Sequence, residues 1–240
     1  MLATDSIQRY GLRDRTRTSA RDILFQLYEY LGSPPADKFY PVKLNEIIKS
    51  VLNWNLEEVS SIGFTKYGEI IIGKIDSENK LISINVDATF EPERNYTLAH
   101  EIGHLVLHYT SLSCSSGSVL RKRSVRKIKL ENRDPAIQKL EREANVFASE
   151  LLMPEKAVRT HFHTIFEREK VRAGSTFVEK LCSDSERTRR RSQIELSEPL
   201  TVAQYLATFK PPSGTRTLVE FFGVSKNAMG IRLLELGLVF

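Results

Sequence analysis

His100-Glu101-Ile102-Gly103-His104 places two imidazoles four residues apart, with a carboxylate beside the first. On an α-helix such residues share a face, so both rings can reach one ion. Histidine with a carboxylate suits zinc, which takes three protein ligands at a catalytic site and leaves a fourth position for water. One zinc per chain is therefore the expected cofactor, preferred over Mn²⁺ or Fe²⁺ by ligand type. The chemistry expected of such a set is peptide-bond hydrolysis. Glu101 would take a proton from the attacking water and pass it to the leaving amine.

A third ligand has to come from elsewhere in the chain. His108 follows His100 by eight residues, about 12 Å along an unbroken helix, so the two cannot hold one ion. Leu105-Val106-Leu107 offers no glycine at which the helix could turn His108 back, so it is expected beside the site or on the surface. The segment from Ala136 to Leu152 is a better source. Its apolar stripe comprises Leu140, Ala144, Phe147, Ala148, Leu151 and Leu152. Glu141 falls about 60° from the centre of that stripe and Glu143 about 100° away. A carboxylate turned towards a core needs a partner. Glu141 is the favoured third ligand, Glu143 the alternative, and Asn145 is placed to hydrogen-bond a ligand histidine. Tyr96 and Tyr109 are near enough in sequence to stabilise an oxyanion.

The elements that must position these residues are read from periodicity. Residues 1–19 are polar and Arg-rich and are expected to form a flexible tail. Ile23, Leu24, Leu27, Tyr28 and Leu31 then mark an amphipathic helix that ends at Gly32-Ser33-Pro34-Pro35. Val42, Leu44, Ile47, Ile48 and Val51 repeat helical spacing. Ile-rich runs at 69–75 and 80–86, split by Asp76-Ser77-Glu78-Asn79, read as a β-hairpin with one buried face on its second strand. Helices over 95–109 and from Ala136 to Leu152 carry the chemistry, the second stopped by Pro154. Residues 183–199 read as a basic linker, and 200–240 as a helical module.

The 240 residues carry a net charge of +5. Basic runs at 9–21, 121–133 and 187–191 together hold +14, leaving −9 for the rest. The basicity is local, and solvated loops are its ordinary explanation. Two cysteines, Cys114 and Cys182, make no disulfide framework and suit a reducing cytosol. No apolar run reaches the length of a membrane span, and no secretory h-region opens the chain. The expected location is cytoplasmic, with no membrane partner.

Two blocks, Thr97-Leu98-Ala99-His100-Glu101-Ile102-Gly103-His104-Leu105 and Glu141-Arg142-Glu143-Ala144-Asn145-Val146-Phe147-Ala148-Ser149-Glu150-Leu151-Leu152-Met153-Pro154, resemble the ImmA/IrrE metallopeptidases. The similarity covers roughly residues 40–160. It implies an α+β, zincin-like peptidase domain with a small sheet over the motif helix. It implies ligand positions at His100, His104 and Glu141, and a catalytic role for Glu101. It also implies a phage or prokaryotic regulator whose protein substrate is a helix-turn-helix repressor, cleaved to relieve repression. The basic insert at 111–135 departs from the family and bears on substrate access.

Residues 218–233 resemble a helix-turn-helix, with Ser225 as N-cap of the second helix. Lys226, Asn227 and Arg232 are the residues that could contact DNA or a partner. Gly230 and the Leu233, Leu234, Leu236 series point instead to a packed scaffold. The expected organisation is thus a tail (1–19), a peptidase domain (20–182), a linker (183–199) and the helical module (200–240). The competing reading is a non-catalytic DNA-binding or protein-binding regulator with a structural metal.

Overall fold

Ile23, Leu24 and Leu27 recur at helical spacing and are buried, and with Ala20 they form the inner face of a long first helix, α1 (Leu2–Tyr30). The computed structural model describes residues 2–64, 68, 70–87, 91–112, 135–184 and 197–240, the side chains of 2–14, 109–112 and 182–184 excepted. The expected tail is therefore corrected, since residues 2–19 continue α1 without a break. The reason is local: from Leu2 to Tyr30 there is no proline and a single glycine, and Thr16 and Ala20 are already buried. The basic runs at 121–133 and 187–191, and Cys114, lie outside the described residues.

The chain divides into two compact units, Met1–Leu152 and Met153–Phe240. In the first, α1 is followed by α2 (Ala36–Phe39) and α3 (Leu44–Glu46). A π-helical turn, Ile47–Val51, continues α3, and Leu52 N–H donates to the Ile47 carbonyl at 2.9 Å. Three strands come next, β1 (Asn55–Val59), β2 (Gly73–Asp76) and β3 (Leu81–Asn85), in spatial order β1-β3-β2. β2 and β3 form the expected antiparallel hairpin, with Gly73 opposite Ile84 and Ile75 opposite Ile82. Its turn is tied by Asp76 Oδ1, which accepts from the backbone of Glu78 and Asn79 at 3.1 Å each.

β1 runs parallel to β3 and escapes sequence reading. Asn-Leu-Glu-Glu-Val has no alternation, because this edge strand buries little. Its glutamates take surface partners instead: Glu58 pairs with Arg94 at 3.0 Å and Glu57 accepts from Ser83 at 3.4 Å.

Two longer helices complete the unit, α4 (Glu91–Leu112) and α5 (Pro135–Leu152). Leu98, Ala99, Ile102 and Leu105 of α4 and Ala144, Phe147, Ala148 and Leu151 of α5 are buried. β2 and β3 pack on α4, so α4 lies in contact with both the sheet and α5. Proline at the first turn of α5 gives up an N–H that no helix could bond. Pro154 stops it, as expected. Among the described residues no helix is long and apolar enough to cross a membrane.

The second unit holds α6 (Glu155–Phe166), α7 (Thr176–Asp184), α8 (Pro199–Ala207), α9 (Leu218–Phe222) and α10 (Lys226–Glu235). The division at Leu152/Met153 differs from the expected boundary near 182–200. Val158, Phe162 and Phe166 of α6, which belongs to this unit, are buried. Phe166 meets Phe209 at 5.7 Å, and His161 stacks on Phe221 at 3.9 Å between centroids. The Tyr205 hydroxyl donates to the Leu181 carbonyl at 3.1 Å, tying α8 to α7.

Ser225 caps α10, its hydroxyl accepting from Ala228 N–H at 3.2 Å, and Thr217 with Glu220 forms a capping box on α9. Gly230 faces α8 so closely that a Cβ there would come within 2.8 Å of Gln204 Cγ. Its lack of a side chain therefore serves packing. Arg232 is corrected as a DNA contact: it is buried, its Nε donates to the Met153 carbonyl at 3.0 Å, and Nη1 reaches Glu235 at 3.4 Å. Lys226 and Asn227 are exposed, and Asn227 Oδ1 accepts from Gln204 at 3.1 Å.

Candidate metal centre

α4 presents His100, Glu101, His104 and His108, and α5 presents Glu141, Glu143 and Asn145. The two helices meet where Gly103 faces Ala144. A Cβ on Gly103 would lie 3.2 Å from Ala144 Cα and 3.1 Å from Phe147 Cδ1. The absent side chain lets the backbones approach. Glu141 sits one turn before Ala144, so it is carried to the imidazoles.

His100 Nε2 and His104 Nε2 are 3.0 Å apart. Glu141 Oε2 is 3.6 Å from the first and Oε1 is 3.8 Å from the second. Ligands held tetrahedrally around zinc at 2.0–2.1 Å stand about 3.3–3.4 Å from one another. The observed separations bracket that figure. His100, His104 and Glu141 are also the one group of three or more such side chains, among the described residues, close enough to hold one ion.

Hydrogen bonding orients the first ring. His100 Nδ1 lies 3.1 Å from Asn145 Oδ1, so it carries the proton and its Nε2 lone pair faces His104 and Glu141. His104 is almost fully enclosed. Burial, then the neighbouring His100 and His108, hold its pKa down to about 2, which keeps the ring neutral. For His100, burial lowers the pKa, but the Glu141 hydrogen bond and the charges of Glu101 and Glu141 outweigh it and raise it. A neutral His104 ring, the Nε2 of His100 and the Glu141 carboxylate, all facing one point, are a donor set suited to a cation.

Glu101 is 4 % exposed, and burial pushes its pKa up to about 7. Among the described residues its Oε2 has no hydrogen-bond partner, nor does the buried Nδ1 of His104. Such unpaired atoms are costly in a core and commonly mark functional sites.

The remaining residues of interest lie nearby. Glu143 does not join the triad; its Oε2 is 3.5 Å from His108 Nε2 and its Oε1 is 4.0 Å from Lys139 Nζ. His108 is buried one turn beyond His104, with ring centroids 5.5 Å apart. Burial lowers its pKa, opposed by the charge of Glu143. The Tyr96 hydroxyl is turned to α5, 3.3 Å from the Asn145 carbonyl and 3.4 Å from Ser149 Oγ. The side chain of Tyr109 lies outside those described. Two contacts escaped sequence reasoning, the His108–Glu143 pair and the glycine, Gly73, against Glu101. The first had a signal, since each residue lies near a ligand position; the second had none.

A small mixed sheet on a helix that bears H-E-x-x-H, with a carboxylate brought in by the next long helix, makes an α+β arrangement with a candidate metal site. Residues 65–181 match the model of the IrrE N-terminal-like domain family, Peptidase_M78. The chain is also similar to a protein named "Uncharacterized immunity region protein 2" from Bacillus phage phi105. The two are 32% identical over 117 residues, which is 49% of this chain. The matched part spans 60% of that relative's length.

Proposed function

We propose that this protein is a zinc-dependent endopeptidase that cleaves a helix-turn-helix repressor-type regulator in the cytoplasm, relieving repression. The observation that carries the reading is the convergence of His100, His104 and Glu141 beside Glu101, whose Oε2 has no partner among the described residues. The peptidase family of residues 65–181 supports the reaction class. The relative's name, which refers to an immunity region, supports a regulatory substrate.

His100, His104 and Glu141 would hold the ion. When bound there, zinc supplies a Lewis acid towards both a carbonyl and a water. Glu101 then acts as the base. Its carboxylate takes the proton of the attacking water and returns it to the leaving amine nitrogen. Asn145 keeps the His100 proton on Nδ1, so that Nε2 remains a donor. Burial of Glu101 and His104 keeps competing water from both. Among the described residues β2 lies at an edge of the sheet, where an extended peptide would pair through its backbone with little sequence preference. Choice of substrate would then come from surfaces away from the scissile bond.

A non-catalytic regulator with a structural metal fits less well. Structural zinc sites are closed by four protein ligands, whereas three donors converge here among the described residues. Incubating the protein with a repressor encoded beside it, with and without a chelator, tests the proposal. Cleavage that the chelator abolishes is the expected result. DNA binding whose strength depends on bound metal, without cleavage, would favour the alternative.

A further inference from the structure

Gly73 is the first residue of β2, buried, and opposite Ile84. It is not among the glycines with positive φ, so its backbone does not demand glycine. A strand ordinarily disfavours the residue, unless something approaches the chain closely. Here that something is Glu101. A Cβ on Gly73 would stand 2.7 Å from Glu101 Oε1, 3.0 Å from Cγ and 3.1 Å from Cδ. The contact reaches Cγ as well as the tip, so turning the carboxylate would not relieve it.

Glu101 has little freedom to move elsewhere. It lies on α4 between the buried His104 turn and the sheet, and is almost fully enclosed. Among the described residues no hydrogen bond holds its Oε2. The wall formed by the bare α-carbon of Gly73 is thus what sets its place.

We infer that Gly73 is a positioning residue for Glu101, keeping free the volume in which the carboxylate stands beside His100 and His104. The packing part of this inference stands alone, and its catalytic meaning rests on the peptidase reading. The three heavy atoms nearest a Cβ at position 73 all belong to Glu101, and none to His100, His104 or Glu141.

The test compares wild type, Gly73→Ala, Glu101→Ala and the double variant by melting temperature and zinc content, with and without chelator. Gly73→Ala should melt several degrees below wild type. In the Glu101→Ala background the same change should leave the melting temperature unchanged or raise it, because the collision has gone and a strand prefers alanine to glycine. Zinc content should be the same in all four. With a cleavable substrate, Gly73→Ala should lower kcat by about a hundredfold with KM little changed. In the Glu101→Ala background it should lower it no further.

Equal losses of melting temperature in both backgrounds would overturn the inference. If Gly73→Ala alone does not fold but the double variant does, the inference holds. If neither folds, it is overturned, because the glycine then serves something other than Glu101. Should no chain cleave any substrate while the melting comparison behaves as expected, the peptidase reading fails and the packing relationship survives.

Discussion

The Asn145 amide oxygen stands 3.1 Å from Nδ1 of His100, fixing that ring so that Nε2 faces His104 and Glu141. A partner of this kind on a ligand histidine commonly contributes 10–100-fold in metal affinity. Asn145→Ala should weaken zinc binding by about that factor while leaving the helix intact, as competition with a chromogenic chelator would reveal. Unchanged affinity would remove Asn145 from the site.

Gly103 fixes how closely α4 and α5 approach, since a Cβ there meets backbone at Ala144. Overpacking of this kind costs about 1–3 kcal/mol. Gly103→Ala should therefore lower unfolding stability by that order and, by pushing Glu141 away, weaken zinc binding as well. Denaturant unfolding with parallel metal titration measures both. A stabilised variant with wild-type zinc affinity would show that the helices do not need the glycine.

His161 stacks on Phe221 and its Nε2–H donates to the Arg216 carbonyl at 3.0 Å. Burial, aided by the charge of Arg216, lowers its pKa below the usual 6.5. The unfolded chain thus takes up a proton that the folded one refuses. The contribution to stability is complete above pH 6.5 and is lost as the pH falls through the folded value. His161→Phe keeps an aromatic ring at the position and removes the titration. Between pH 7.5 and 5 the variant should lose less stability than wild type in matched melting curves. Parallel curves would contradict the assignment.

Arg232 is 2 % exposed and holds the Met153 carbonyl through Nε. Its loss leaves that carbonyl and the side-chain cavity uncompensated, at a cost of about 2–4 kcal/mol. Arg232→Ala should lower the melting temperature but leave any DNA affinity at low salt unaltered in a folded preparation. A selective loss of DNA binding with stability retained would restore Arg232 as a contact.

Much of the arrangement follows from periodicity. The four-residue step between His100 and His104, and the phase of Glu141 on the apolar stripe of α5, are properties of single helices, so one sequence carries them. Other features depend on what packs opposite. Glu143 is as acidic as Glu141 and only two residues away, yet it faces His108. Gly73 and Gly103 matter because Glu101 and Ala144 press against them, and spacing along the chain does not encode that. β1 is hidden for a similar reason, since Glu57 and Glu58 sit on an exposed edge where alternation is not required. The division into compact units at Leu152/Met153 is not visible in the sequence, where the polar stretch 183–199 looks more like a linker. The apolar face of α6, through Phe162 and Phe166, in fact joins the C-terminal helices.

The claim that Glu101 acts as base in a zinc-dependent cleavage is tested most directly by mass spectrometry of a co-encoded repressor. The repressor is incubated with zinc-loaded wild type or with Glu101→Gln, both shown to hold one zinc per chain. New termini with wild type and intact repressor with the variant are the expected result. The same fragments from both proteins at equal rates would contradict it.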